Sequence, residues 1–191
     1  MKIVVGLGNF GKEYENTFHN LGFAAIDRAA DVLGFKFSKE KCRASVAEGN
    51  INGEIVVIAK PLTYMNLSGF AVSELLSYYK ATAKDLIVIC DDFDLPAGYV
   101  RIRESGSGGT HNGMRNIIQV LGFQDFARIR IGFKPQEENR IPLINLVLSK
   151  IPKEKEELFN KAVLSAASGA LDFIRGESIS SLMAKYNGNK A

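Results

Sequence analysis

The chain has 191 residues, of which 46% are hydrophobic and 24% are charged, with a formal net charge of +3 and a pI of about 8.8. This composition indicates one globular domain with a sizeable core. It excludes a membrane-spanning protein, because no apolar run approaches the length that crosses a bilayer. The net charge is too small to indicate nucleic-acid binding by itself, since clustered basic residues provide that signal rather than the total.

Strands and helices are predicted to alternate along the chain. β-Branched and alternating apolar residues predict strands at residues 3–7, 44–48, 54–59, 86–90, 99–103 and 127–133, with Asn52-Gly53 as a hairpin turn between the second and third. Apolar spacing of three and four predicts helices at residues 21–33, 66–79, 112–121, 153–175 and 178–185. This order predicts an α/β fold: a single domain, residues 1–191, with a twisted mixed β-sheet that has a mainly parallel centre and is surrounded by helices. Residues 187–191 are expected to form a short polar tail.

The cellular location is predicted from the first residues and the cysteines. The first residues predict a strand that enters a glycine turn rather than a cleavable signal peptide. Cys42 and Cys90 are far apart and lack the spacing of metal ligands, so we expect reduced thiols and a cytoplasmic protein. Cys90 precedes Asp91, which leaves open a role for Cys90 as a nucleophile. The favoured interpretation is that Cys90 is a small buried residue at the end of a strand.

Polar and glycine-rich segments follow four of the predicted strands. They are residues 6–11, 60–66, 91–94 and 104–112. Open sheets of this class bind their ligands at the carboxyl ends of the strands. We therefore expect these four segments to converge on one edge of the sheet.

The chain has two histidines, His19 and His111, and each is followed by asparagine close to a glycine. Imidazole titrates near neutrality, which makes both residues candidates for proton transfer, although each His-Asn pair could instead be a turn or a helix cap. A general base at His19 would need a carboxylate partner. Among Asp91, Asp92 and Asp94 we favour Asp91, because it comes first after its strand. A solvated acidic turn is the alternative for the three aspartates.

Water is the expected nucleophile, because no serine stands in a strand-turn-helix elbow. Residues 6–11 superficially match a dinucleotide-binding fingerprint, but no helix is predicted to begin at the third glycine, so an oxidoreductase is disfavoured. The segment is better interpreted as a turn that presents Asn9. Together with Asn66 and Asn112, which could also be helix caps, it supplies neutral amide groups suited to a peptide carbonyl or a ribose.

Basic residues alternate along two strands. Arg101 and Arg103 share one face of their strand, and Arg128 and Arg130 share one face of another. Together with Lys134 they would suit an anionic backbone, and a solvated sheet face is the alternative. The pattern leaves open whether Arg128 and Lys134 contact such a ligand.

Several ordered motifs closely resemble those of bacterial peptidyl-tRNA hydrolases, over nearly the whole chain. The motifs are Gly6-Leu7-Gly8-Asn9-x-Gly11-x-x-Tyr14-x-x-Thr17-x-His19-Asn20-x-Gly22, Lys60-Pro61-x-Thr63-Tyr64-Met65-Asn66-x-Ser68-Gly69, Asp91-Asp92-x-Asp94-Leu95-Pro96, Gly108-Gly109-x-His111-Asn112-Gly113 and Arg128-Ile129-Arg130-Ile131-Gly132. The resemblance implies a metal-free, cofactor-free monomer with one α/β domain. Its activity would be hydrolysis of the ester between a peptide and the 3′ ribose of tRNA, which recycles peptidyl-tRNA released from ribosomes.

The resemblance also implies roles for individual residues. His19 would be the general base that activates water, Asp91 would stabilise its productive form, and Asn9 would help distinguish peptidyl from free aminoacyl substrates. The cleft for the peptide and the 3′ end would be lined by Tyr14, Tyr64, Met65, Asn66 and Asn112. The tRNA-contacting region would contain Arg101, Arg103 and Arg130. His111 is then the weaker catalytic candidate, expected to shape the loop that delivers Asn112.

Three positions depart from the family pattern. Phe10 replaces the usual proline, Phe18 replaces a basic residue before His19, and Thr110 replaces a glycine before His111. Phe10 removes a restraint on φ from the turn that carries Asn9, and Thr110 would be strained at any position requiring a positive φ. A non-catalytic RNA-binding relative on the same fold remains the alternative, although the retained catalytic pair favours a hydrolase.

Overall fold

The structure is a computed structural model that describes residues 1–135 and 141–188. In this part of the chain seven strands form one sheet in the order β2-β3-β4-β1-β5-β7-β6. The strands are β1 Lys2–Gly6, β2 Lys39–Lys41, β3 Ala44–Ile51, β4 Glu54–Pro61, β5 Leu86–Pro96, β6 Val100–Arg103 and β7 Ala127–Lys134. The central strands β4, β1, β5 and β7 are parallel, whereas β2, β3 and β6 are antiparallel to their neighbours. The predicted mixed sheet with a mainly parallel centre is confirmed.

Helices cover both faces of this sheet. They are α1 Leu21–Leu33, α2 Ser68–Tyr79, α3 Asn112–Leu121, α4 Leu143–Val147, α5 Glu156–Ile174 and α6 Ile179–Tyr186. Ile87 and Ile89 of β5 pack into the core on the α1 and α5 side, and Val88 packs into the core on the α2 and α3 side. Residues 86–90 of β5 are buried and form a continuous apolar run rather than an alternation, as expected of a strand covered on both faces. No helix of the described segments is both long and apolar enough to span a membrane.

Several short elements were not predicted. β2 is a three-residue edge strand of sequence Lys-Glu-Lys, and its charged residues carry no apolar alternation. α4 has only five residues, too few to show a helical period, and the short 3-10 turns at Lys12–Tyr14, Phe18–Asn20 and Ala83–Asp85 were not predicted for the same reason. The 3-10 turns Met65–Leu67 and Lys153–Lys155 overlap the starts of the helices predicted at residues 66–79 and 153–175. Helices α1 and α3 have the predicted boundaries.

The prediction that residues 91–94 form a loop after a strand is wrong, because β5 continues to Pro96. The neighbouring strand β1 ends at Gly6, whose partner is Ile89, but β7 continues to pair with Asp91 and Asp92. The backbone hydrogen bonds to β7 therefore hold these polar residues in strand geometry. Asp91 consequently lies in a rigid strand, beside the gap that β1 leaves at its end.

Close packing of α1 on the sheet positions the segment before it. A Cβ atom at Gly22 would lie 2.5 Å from the carbonyl oxygens of both Leu7 and Ile89, so only glycine allows the start of α1 to rest directly on the backbone of the sheet. The N–H of Phe23 donates to the carbonyl of Leu7 over 3.2 Å. His19, two residues before the start of α1, is thereby brought beside Asp91 of β5.

The start of the predicted polar tail is attached to the sheet. The side-chain amide of Asn187 accepts a hydrogen bond from the N–H of Ile102 over 2.7 Å and donates to its carbonyl over 3.0 Å. These two bonds pair the amide with the backbone of the edge strand β6. Residues 189–191 of the tail lie outside the described residues.

Candidate active site

A cavity of about 920 Å³ opens at the carboxyl ends of the parallel strands. All four segments that were expected to converge there contribute to its walls. Of the predicted site residues it is lined by Asn9, Tyr14, His19, Tyr64, Met65, Asn66, Asp91, Arg103, His111, Asn112 and Arg130. Arg101 does not line the cavity. The structure thus brings together residues from six separate parts of the chain.

His19 and Asp91 form a buried pair in the floor of this cavity. Nδ1 of His19 lies 2.9 Å from Oδ1 and 3.0 Å from Oδ2 of Asp91. Burial alone would raise the pKa of Asp91, but its electrostatic interactions and hydrogen bonds with His111 and His19 outweigh this effect and hold that pKa below its usual range. An ionised carboxylate only accepts hydrogen bonds, so Nδ1 of His19 donates and Nε2 is left with its lone pair. This is the tautomer that a general base requires.

His111 contacts the same carboxylate. Its Nε2 lies 3.0 Å from Oδ1 of Asp91, and its Nδ1 accepts a hydrogen bond from the N–H of Met114 over 3.2 Å, which caps the N-terminus of α3. The cap matches the expectation that His111 shapes the start of the helix that carries Asn112. The bond to Asp91 is a contact that the sequence did not indicate.

Asn9 is held by two other parts of the chain. Its Oδ1 accepts a hydrogen bond from the N–H of Met65 over 2.8 Å, so the oxygen end of the amide is assigned and the NH₂ end remains as a donor. Asn20 pairs with the backbone of Asn9, accepting from its N–H over 2.8 Å and donating to its carbonyl over 2.9 Å. Sequence reasoning did not place Asn20 in the site, although its position directly after His19 was a signal.

An aromatic wall borders the cavity on the Asn9 side. Phe10 stacks on Tyr64 with ring centroids 4.3 Å apart, and Tyr14 meets Tyr64 edge-on at 6.4 Å. Tyr64 has φ 57° and ψ 163°, a costly conformation for a residue with a side chain. Where the family pattern has proline, this chain has Phe10, whose ring contacts Tyr64.

The other two departures from the family pattern are accommodated without strain. Phe18 is buried and packs against Phe133 and Phe159, with centroid distances of 5.1 and 5.2 Å, so it anchors the residue before His19 in the core. Thr110 does not adopt a positive φ. The left-handed conformation in this loop is taken by the preceding residue, Gly109, with φ 53°. The strain expected at Thr110 does not occur.

The four arginines differ in what they contact. Arg130 forms an ion pair with Asp92, whose Oδ1 also accepts from the N–H of Asp94 over 2.9 Å. Arg128 is buried and donates to backbone carbonyls of residues 106, 107, 124 and 126, so it fastens the glycine-rich loop. Arg103 lines the cavity and forms no ion pair within the described part of the chain, and Arg101 is half-buried beside Arg130 on the neighbouring strand.

The remaining cysteine and metal hypotheses can be compared with these contacts. Cys90 is buried, and desolvation together with the adjacent carboxylates raises its pKa, which makes a thiolate nucleophile unfavourable. His19, Asp91 and His111 offer nitrogen and oxygen atoms within 4.8 Å of one another. Their separations of 2.9 to 3.0 Å are hydrogen-bond distances, and hydrogen bonding accounts for the cluster without an ion.

A further wall of the cavity was missed. Leu143, Ile144, Val147 and Leu148, in and next to α4, contribute aliphatic side chains opposite the polar loops. Ile144 and Leu148 are largely exposed to the solvent. The aliphatic-rich stretch 141–148 was the signal in the sequence that could have identified this wall.

Comparisons with known proteins identify the same family from sequence and from structure. The model of the family described as peptidyl-tRNA hydrolase matches residues 3–191. The chain is 46% identical over 190 residues to a peptidyl-tRNA hydrolase of Brevibacillus brevis, covering 100% of both chains, and 43% identical to one of Thermoanaerobacter sp., covering 98% of this chain and 100% of the relative. The crystal structure of peptidyl-tRNA hydrolase from Acinetobacter baumannii superposes with a TM-score of 0.89 at 32% identity, over 100% of this chain and 96% of that one.

Proposed function

Because the chain belongs to the peptidyl-tRNA hydrolase family and is therefore an enzyme that hydrolyses peptidyl-tRNA, we propose that His19 acts as the general base of this reaction. The bond broken is the ester between the peptide and the 3′ ribose of tRNA. Water supplies the nucleophile, the ribose oxygen leaves and takes a proton to become the 3′ hydroxyl, and the carboxylic acid formed on the peptide releases a proton to the solvent. The enzyme then recycles tRNA from peptidyl-tRNA released by ribosomes.

The observation that carries this proposal is the buried pair of His19 and Asp91. With Nδ1 bonded to the carboxylate, Nε2 can take a proton from a water molecule in the cavity as that water attacks the ester carbonyl. Asp91 stabilises the imidazolium that forms, and Nε2 can then return the proton to the leaving ribose oxygen. His19 and Asp91 are only 8% and 2% exposed, so the charge interaction is weakly screened by water.

Three asparagines supply neutral donors around the proposed base. The fixed NH₂ group of Asn9 suits the carbonyl of the peptide bond next to the ester, which a free aminoacyl ester lacks. Asn66 and Asn112 line the same cavity and suit the developing oxyanion or the ribose. We assign discrimination between peptidyl and aminoacyl substrates to Asn9.

The two ends of the cavity suit the two parts of the substrate. Tyr14, Tyr64 and Met65 form an aromatic and apolar wall for the peptide. Arg103 and Arg130 line the cavity from β6 and β7, and Arg101 lies outside it beside Arg130; phosphates of the tRNA would bind at this basic side. Arg130 already neutralises Asp92, so the larger share of phosphate binding falls to Arg103 and Arg101.

We also propose that the enzyme works as a monomer in the cytoplasm, with no metal ion or cofactor in the reaction. Cys42 and Cys90 are both free thiols, which suits a reducing compartment. The hydrogen-bonded pair of His19 and Asp91 provides a base, and the asparagines provide donors for the oxyanion. Ester hydrolysis needs no further chemical group.

The experiment that tests the function is incubation of the enzyme with an N-acetylated aminoacyl-tRNA. We expect released tRNA, with unblocked aminoacyl-tRNA as the matched control that turns over slowly. His19→Ala should reduce kcat by about 10²-fold to 10⁴-fold while tRNA binding and the melting temperature stay close to those of the wild type. Unchanged turnover in this variant would remove His19 as the base, and binding without any turnover by the wild type would favour the non-catalytic RNA-binding relative.

A further inference from the structure

Asp91 serves two imidazole rings. Its Oδ1 accepts hydrogen bonds from His19 over 2.9 Å and from His111 over 3.0 Å, and Oδ2 has the second, 3.0 Å contact with His19. The two rings lie with their centroids 5.0 Å apart. Stabilisation of the proposed base by Asp91 is therefore shared with a second donor.

The helix cap determines the tautomer of His111. A backbone N–H can only donate, so the bond from Met114 requires a lone pair on Nδ1 of His111. The neutral ring then has its proton on Nε2, directed at Asp91. Protonation of Nδ1 would remove that lone pair and break the cap, so a His111 ring that caps α3 is a neutral donor to Asp91.

We propose that His111 is a positioning residue that acts through Asp91. By donating a fixed hydrogen bond from a neutral ring, His111 reduces the stabilisation that the carboxylate gives to protonated His19. His19 therefore remains unprotonated, and able to act as the base, at lower pH. The reason is that a carboxylate that already accepts a hydrogen bond has its negative charge partly compensated. Without His111, the whole charge of Asp91 would stabilise the imidazolium of His19. This inference rests on the proposed role of His19.

Other charged groups near the pair do not titrate between pH 5 and 8 at the ordinary values of their types. Those lining the same cavity are Asp92, Asp94, Arg103, Arg115, Arg128 and Arg130, together with two tyrosines and the buried Cys90. Asp92 and Arg130 neutralise one another, and Arg128 is bonded to backbone carbonyls. Among the described residues, the hydrogen-bond partners of the Asp91 carboxylate are the two imidazoles.

Two substitutions separate the cap from the contact with Asp91. His111→Asn places an amide where Nδ1 lies, so it retains a helix cap but cannot reach Asp91. His111→Gln extends to the position of Nε2, so it retains a donor to Asp91 and weakens the cap. The measurement is the pH dependence of kcat/KM with an N-acetylated aminoacyl-tRNA, whose acid limb reports protonation of the free enzyme.

We expect the acid limb to move to higher pH by about half to one unit in His111→Asn, and to stay within about 0.2 unit of the wild type in His111→Gln. An unmoved limb in His111→Asn, or an equal shift in both variants, would overturn the proposal, because a role limited to the helix cap predicts the larger effect in His111→Gln. Melting curves of both variants show whether they fold.

A second measurement needs no variant at position 111 to fold. The chain has two histidines, so its imidazole ¹⁵N spectrum contains two ring systems, and His19→Ala assigns them. We expect neutral His111 to be protonated on Nε2 in the wild-type enzyme. Protonation on Nδ1 would overturn the proposal whatever the activity of the variants. Turnover by His19→Ala would instead refute the proposed base and leave the tautomer of His111 unchanged.

Discussion

Asn20 holds the backbone of Asn9 by two hydrogen bonds: its Oδ1 accepts from the N–H of Asn9 over 2.8 Å, and its Nδ2 donates to the carbonyl of Asn9 over 2.9 Å. Asn20 is the neighbour of His19 in the chain, and Asn9 presents its amide to the cavity. The two bonds therefore set the distance between the proposed base and the proposed specificity residue.

Replacement of Asn20 by alanine should loosen this link. Two buried backbone groups of Asn9 lose their partners, so we expect the free energy of unfolding to fall by about 1–3 kcal/mol. We also expect discrimination between N-acetylated and free aminoacyl-tRNA to fall, because Asn9 is no longer held. Urea unfolding and kcat/KM for both substrates measure these effects. Asn160→Ala, on the exposed side of α5, is the matched control, and equal discrimination in the two variants would contradict the role given to Asn20.

Asp91→Asn should lower kcat strongly, by about 10²-fold to 10⁴-fold. The amide can turn its NH₂ group towards Nδ1 of His19, which moves the ring proton to Nε2 and removes the lone pair that accepts a proton from water. The measurement is single-turnover hydrolysis of an N-acetylated aminoacyl-tRNA. Asp94→Asn, at an exposed residue of the same strand, is the control. A comparable loss in the control would show that the strand is sensitive to any such change.

Phe10→Ala should raise KM more than it lowers kcat. The stacked pair with Tyr64 contributes about 0.5–1.5 kcal/mol, which corresponds to a rise in KM of about twofold to tenfold if the wall binds the peptide. Phe123→Ala is a matched control, because Phe123 is also 37% exposed and pairs with Phe126 away from this cavity. A change confined to kcat would place Phe10 in the chemical step instead.

Arg103→Gln should weaken tRNA binding in a salt-dependent manner. Loss of one phosphate contact reduces the slope of log K against log salt concentration by about one unit. Binding titrations at several salt concentrations measure the slope, with Arg28→Gln, at an exposed position of α1, as the control. An unchanged slope in Arg103→Gln would indicate that Arg103 belongs to a solvated sheet face.

Glu48 makes the stability of the β2–β3 hairpin depend on pH. Burial raises its pKa, but hydrogen bonds from Lys41, Tyr79 and Lys39 outweigh this and lower it to about 2. A depressed folded-state pKa stabilises the protein above the unfolded value, and this contribution is lost as pH falls from about 4.5 through 2. The unfolding free energy of Glu48→Gln should be lower than that of the wild type by about 1–3 kcal/mol at pH 7, and the difference should shrink towards pH 2. The exposed Glu154→Gln is the control, and a constant difference would contradict this account.

Most of the sheet could be predicted from the sequence, because apolar periodicity reports burial directly. The central strands around Ile3, Ile58 and Ile89 and the helices α1 and α3 follow this rule. β2 and α4 do not, since three charged residues or a five-residue helix contain no measurable period. The end of β5 was misjudged because aspartates are typical of turns, whereas pairing with β7 keeps them in a strand.

The sequence by itself determined the fold class, the family and the residue types available for chemistry, because these depend on local pattern and on ordered motifs. Only the tertiary structure decided how those residues share partners. The contact of both histidines with Asp91, the link from Asn20 to Asn9 and the attachment of Arg128 to backbone carbonyls all join residues distant in the chain. Such hydrogen bonds depend on distances and angles within a few tenths of an ångström, and a linear pattern contains no information on that scale.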